Sequence, residues 1–217
     1  MSRISAAPLD KNDLGRITFA KNPWPQGHRI ADFVWTGRIE AGSVWFDLHL
    51  TSANYDEGDE LRDEAEDDHE RDDDWRAKGC WTNYGRCTMS STKWDGEATG
   101  FQVGTPKNPL DFGQLGARPF KVDRRTKIAV EKPAFHLYLM GHDAVADHRI
   151  TFTKTSTPRQ HSLSWKGRIC LAYIGRTKYE HRFEAVAPRV VFQGFKPARG
   201  VSPAQAKAVL EACVMNA

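Results

Sequence analysis

Five side chains able to carry proton or metal chemistry fall within thirteen residues of the segment FHLYLMGHDAVADHRITF, residues 135–152: His136, His142, Asp143, Asp147 and His148. Neutral imidazole and carboxylate are the usual ligands of zinc, manganese and iron, and a strand can deliver them to a loop mouth. Asp47 and His49, two positions apart in SVWFDLHLT, share one face of a strand and could join from a distance. Three or four such ligands with a bound water would make a metal-dependent hydrolase or lyase. The expected metal set is therefore His136, His142, Asp143 and His148, extended by Asp47 and His49, holding a divalent ion such as zinc, manganese or calcium. The segment contains neither H-E-x-x-H nor H-x-H, so a hydrogen-bonded structural cluster built from the same residues competes with the metal reading. No G-x-S-x-G elbow and no phosphate-cradling glycine loop is present to supply another chemistry.

A second group suits recognition. In CWTNYGRCTMSSTKWDGEATGF, residues 80–101, flat rings alternate with short hydrogen-bonding side chains, the mixture that lines many polar-ligand clefts. Trp81, Asn83, Tyr84, Trp94 and Asp95 are the candidate ligand-binding residues, and the expected partner is a protein, a peptide or a polar small molecule. A third group, RPFKVDRRTKIAVEK at 118–132, gathers Arg118, Lys121, Arg124, Arg125 and Lys127 into a basic patch fit for phosphates. It admits a nucleic acid or another polyanion as partner, ranked behind the protein or small-molecule ligand.

Charge ties this patch to the most unusual stretch of the chain. Asp56–Trp75, DEGDELRDEAEDDHERDDDW, holds thirteen carboxylates against Arg62 and Arg71. That segment nets −11, which leaves +14 on the rest of a chain whose total is +3. A body this basic ordinarily attracts an anionic surface or polymer. With almost nothing apolar to bury, residues 56–75 are expected to be a mobile acidic insertion that modulates access to the basic body.

The elements that must position these groups are mostly strands. RITFAKNPWPQGH at 16–28 echoes RITFTKTSTPRQH at 149–161, and WTGRI at 35–39 echoes WKGRI at 165–169. Two matches in the same order predict a pseudo-repeat over 16–39 and 149–169, each copy a strand, a loop with proline and a returning strand whose glycine permits a bulge or a close approach. Period-two patterns in SVWFDLHLT, AFHLYLM, TGFQV, RPFKV, KIAV, ICLAYI, HRFEAV and RVVFQGF predict further strands. One helix is expected at 202–214, with Ser202 as N-cap, Pro203 at the first helical position and Gln205 completing a capping box.

The expected fold is mainly β, an antiparallel sandwich or barrel-like arrangement in one domain over 1–217, with the acidic insertion and one short C-terminal helix. Four cysteines without a C-x-x-C pair are expected to be separate thiols, although Cys80 and Cys87 could close a small loop in an oxidising compartment. No apolar run suggests a signal peptide or membrane span, so a cytoplasmic protein is expected. The leading function is a non-enzymatic binding protein, with the metal-dependent enzyme and the polyanion binder behind it.

Overall fold

A computed structural model describes residues 14–57, 74–91, 99–124 and 132–216. The run from 58 to 73, Trp94, Asp95, Arg125, Lys127 and the expected KIAV strand lie outside the described residues.

The chain is mainly β. The early strands are β1 (Arg16–Phe19), β2 (His28–Glu40), β3 (Ser43–Ser52), β4 (Thr88–Ser90), β5 (Phe101–Gly104), β6 (Leu110–Asp111) and β7 (Phe120–Val122). They are followed by β8 (His136–Tyr138), β9 (His142–Lys154), β10 (Gln160–Cys170), β11 (His181–Pro197) and β12 (Val214–Met215). Two α-helices, α1 (Lys78–Thr82) and α2 (Pro203–Cys213), and two single 3-10 turns at Phe112–Gln114 and Ala172–Ile174 complete the described elements. The first helix was not legible in sequence. The second carries the expected capping box, in which the Ser202 side chain accepts from the Gln205 N–H and the Gln205 side chain accepts from the Ser202 N–H. Its Ala206 and Cys213 are buried and its Val209 and Leu210 half-buried against the core, as the apolar stripe requires.

Hydrogen bonding links the strands in the order β1, β2, β11, β10, β9, β8, β4, β3, β5, and a further pairing of β2 with β3 joins two members of that series. β7 adds to β9. An all-antiparallel sheet was expected, but β2 and β11 run parallel, Trp35 facing Phe192 and Lys196 facing Arg38, so the sheet is mixed. The cause lies in β11, which absorbs two of the expected strands into one of 17 residues. Its first half pairs with β1 and β10 and its second half with β2. Pro188, which has no N–H to donate, sits at the changeover, where the register with β10 slips between His161 and Leu163.

Sequence alternation sets which residues face the core. Val44, Phe46, Leu48 and Leu50 of β3 are fully buried, and β3 meets β2 through a two-residue turn at Ala41 and Gly42. Both turn residues have positive φ, the backbone twist that a right-handed hairpin favours. Trp35 stacks on Phe152 with ring centroids 3.9 Å apart, and Trp165 packs on Phe135 at 4.6 Å. Each such burial contributes roughly 1.5–3 kcal/mol, so these rings help fix the register of β2, β9 and β10.

The two W-x-G-R-I glycines are required by close contact. A Cβ on Gly37 would lie 2.2 Å from the Phe195 ring, and one on Gly167 would lie 2.5 Å from the Phe183 ring. At Gly167 the β9 strand also bulges. Lys166 faces Arg149 and Arg168 faces Ala146, so Asp147 and His148 together oppose one glycine, Asp147 taking a positive φ of 54°. No helix among the described residues is long and apolar enough to cross a membrane.

Candidate functional site

The six residues expected to hold a metal divide between opposite faces of the strands. His49 on β3, Ser90 on β4 and His136 on β8 lie directly across from one another, on the face opposite the Leu50, Met89 and Leu137 row that fills the core. His49 is buried, with its Nε2 3.0 Å from the Thr51 hydroxyl and 3.7 Å from the Asp32 carboxylate. Asp143 instead shares register with core-facing Leu137 and accepts hydrogen bonds from the Met140 and Tyr173 N–H groups. Burial raises its pKa against those bonds, which lower it. His142 is exposed, with its ring 5.5 Å from that of Tyr138.

His148 is enclosed by Phe135, Trp165 and Phe183, and its Nδ1 accepts from the Trp165 indole N–H at 3.0 Å. That bond leaves the proton of the neutral ring on Nε2, which is 3.9 Å from an Asp123 oxygen and has no hydrogen-bond partner. Burial holds the His148 pKa down at about 3. Asp47 is buried and held by Arg38, whose Nε donates at 3.1 Å. Burial raises the Asp47 pKa more than Arg38 lowers it. Period two within one strand cannot bring residues from both faces to one point, and among the described residues no three His, Cys, Asp or Glu side chains gather as ligands.

In the segment expected to form a recognition surface, Trp81 is a core residue. It has no exposure, its indole N–H donates to the Trp75 carbonyl at 2.9 Å, and Phe19, Tyr55 and Trp75 surround it. A run rich in Trp and Tyr carries no mark that separates rings facing solvent from rings filling a core. Asn83 and Tyr84 line a small hollow of about 140 Å³ with Asp143 and Cys80, room for a few atoms. None of the four cysteines is bridged to another.

The basic patch is where the fold adds most. Arg118 is exposed on a turn, while Lys121 and Arg124 line a hollow of about 720 Å³ together with Arg149, Lys166, Arg168 and Arg182. Four of these six come from outside the patch read in sequence, three of them from the repeated blocks. Their positions follow from register. Lys121 of β7 faces Arg149 of β9, Arg149 faces Lys166 of β10, and Arg168 of β10 faces Arg182 of β11. Directly opposed side chains stand about 4.5–5.5 Å apart at Cβ, so each pairing of like charges destabilises the bare sheet.

Among the described residues, carboxylates neutralise this surface only in part. Lys166 pairs with Glu184 at 2.9 Å, and Asp147 lies 3.9 Å from Arg168. Arg168 also donates to the Tyr179 carbonyl at 3.3 Å, which fixes its head at the hollow. The equivalent position in the first W-x-G-R-I block differs: Arg38 is shared among Asp47, Glu40 and the Thr99 carbonyl, a closed ionic group. A period-two reading of SWKGRI puts Lys166 and Arg168 together on the polar face, but their convergence with β7 and β11 needs the strand order. No family model matches this chain, and no curated protein or solved structure matches it either.

Proposed function

We propose that this chain is a binding protein for a polyanion, held by the basic hollow across β7, β9, β10 and β11. The observation that carries the reading is the opposed rows of like charge: six cations on one concave surface, with Asp147 the one carboxylate among its described lining residues. A phosphate or sulfate placed between Arg168 and Arg182, or among Lys121, Arg149 and Lys166, turns each repulsion into a bridged contact. The described lining contains no aromatic ring other than buried His148, so nothing there stacks on a base. Recognition is of backbone charge and independent of sequence.

The acidic run at 56–75 fits this reading as a competing polyanion carried by the chain itself, an inference from its charge alone. The expectation that the segment 80–101 is the binding surface is weakened by the burial of Trp81. For the fold, the pairing of β2 with β3 supports a barrel-like rather than a sandwich arrangement, since it joins the two arms of the strand series. Matched burial supports the pseudo-repeat: Ile17 and Ile150, Phe19 and Phe152, His28 and His161, Trp35 and Trp165, and Ile39 and Ile169 are all buried.

The test is binding of a labelled oligonucleotide and of heparin by fluorescence anisotropy across a salt series. If all six cations engage, log K falls with log salt at a slope of up to about −5, and Arg149→Glu/Lys166→Glu reduces that slope by about two. Replacing residues 58–73 with a short glycine and serine linker is expected to tighten binding. Affinity unchanged by the charge reversal would refute the assignment.

A further inference from the structure

We infer that a second hollow, at the opposite end of the β9 and β10 pair from Gly167, is a binding site for a small organic anion with a flat apolar body. The hollow measures about 680 Å³, within the range of small-molecule sites. Phe112, Phe192 and Phe195 form its apolar surface, with Phe192 5.2 Å from Phe112 and 5.0 Å from Phe195 between ring centroids. Phe192 and Phe195 are only half-buried, so the core leaves part of each ring for another occupant.

His161 stands in the wall of the same hollow. It is 6% exposed and its ring meets Trp35 edge-on at 5.3 Å. Neither ring nitrogen makes a hydrogen bond of ordinary geometry, although a buried imidazole normally has a partner. Burial and then Lys154 disfavour its charged form, with only the nearby Arg159 carbonyl acting the other way. A neutral imidazole keeps one N–H donor, which a carboxylate oxygen can accept.

The rim supplies the charge. Lys154 and Arg159, both exposed, flank the opening, and no Asp or Glu occurs among the described lining residues. Two irregularities shape the site. β11 shifts register between Phe192 and Phe195, where Gly194 has a φ of 94°, and β10 shifts beside His161. Such bulges re-aim side chains, and here they bring Phe192 and Phe195 to bear on one space with His161. The chemistry that fits is an aryl carboxylate: ring against the phenylalanines, acid group between His161 and the two cations.

The full chain is titrated with 2-naphthoate by calorimetry, and the site is mapped by amide shifts in ¹⁵N-labelled protein. Saturable binding at one site is expected, with shifts centred on 154–161 and 192–195. Lys154→Glu/Arg159→Glu, on the exposed rim where folding is not at stake, is expected to weaken binding by about tenfold or more, and neutral 2-naphthylmethanol to bind less well by a similar factor. Arg149→Glu/Lys166→Glu should leave naphthoate binding unchanged, which separates this site from the basic hollow. No saturable binding, shifts centred elsewhere, or affinity that survives the rim reversal would each overturn the assignment.

Discussion

Replacing His148 with glutamine should flatten the response of stability to acid. In the folded chain burial holds the His148 pKa at about 3, whereas an unfolded histidine titrates near 6.5. A group with a depressed folded pKa contributes stability that is present above the unfolded value and is lost as pH falls toward the folded one. Between pH 7 and pH 5 only the unfolded chain takes up this proton, and the linkage integral over that window is about 2 kcal/mol. Asp47, Asp123 and Asp143 act in the other direction. Burial raises their pKa values, so their contribution is complete below the ordinary carboxylate range and is lost as pH rises through the folded values. Those groups remain in the variant and cancel in the comparison.

The assay is urea unfolding followed by tryptophan fluorescence at pH 7 and pH 5, for the native chain and for His148→Gln. Glutamine keeps an acceptor within reach of the Trp165 indole, so the hydrogen bond at 3.0 Å has a substitute. The variant's starting stability does not enter, because the quantity read is the change between the two pH values. The native chain should lose about 2 kcal/mol more than the variant over that interval. Equal losses would refute the reasoning, since they would mean that His148 binds a proton as readily in the folded chain as in the unfolded one.

Two further predictions rest on packing and charge. Gly167→Ala drives a Cβ into the Phe183 ring and should cost about 1–3 kcal/mol by thermal or urea unfolding, whereas Gly79→Ala meets nothing within 4 Å and should be neutral or slightly stabilising. Arg149→Thr removes a cation flanked by Lys121 and Lys166, and should raise stability by a few tenths of a kcal/mol while weakening oligonucleotide binding in the same preparation.

What was legible in sequence follows from what local pattern can encode. Alternation in SVWFDLHLT and AFHLYLM picks out the core row of Val44, Phe46, Leu48, Leu50, Phe135, Leu137 and Leu139, because one strand's own residues decide which face is apolar, but it misses that Met140 on the other row also joins the core and that Asp47 and His49 are buried. The helix from Pro203 could be read to its first residue because capping is local chemistry within four positions. The parallel pairing of β2 with β11 could not, because nothing within either strand states which neighbour it will meet. The metal set failed to gather for a related reason. His136, His142, Asp143 and His148 are close in sequence, but a hairpin and a bulge distribute them between the two faces. His161 and Phe192 show the reverse case, 31 positions apart yet lining one hollow.

The contrast between the two W-x-G-R-I arginines separates structural from functional charge. Both follow a glycine pressed against a phenylalanine of β11, so packing alone would give them the same task. Arg38 is satisfied by Asp47, Glu40 and a backbone carbonyl, and Asp47 is buried against it. Such a closed group has no valence left for a ligand. Arg168 has one carbonyl, a carboxylate 3.9 Å away and Arg182 directly across the sheet. A strand needing only polar outer residues would be as stable or more so with threonine at 182, since threonine favours a pleated surface and carries no charge. On the proposed reading a bound anion would sit between these opposed cations and bridge them, and the hollow above Arg168 and Arg182 has the space and the sign for a phosphate or sulfate.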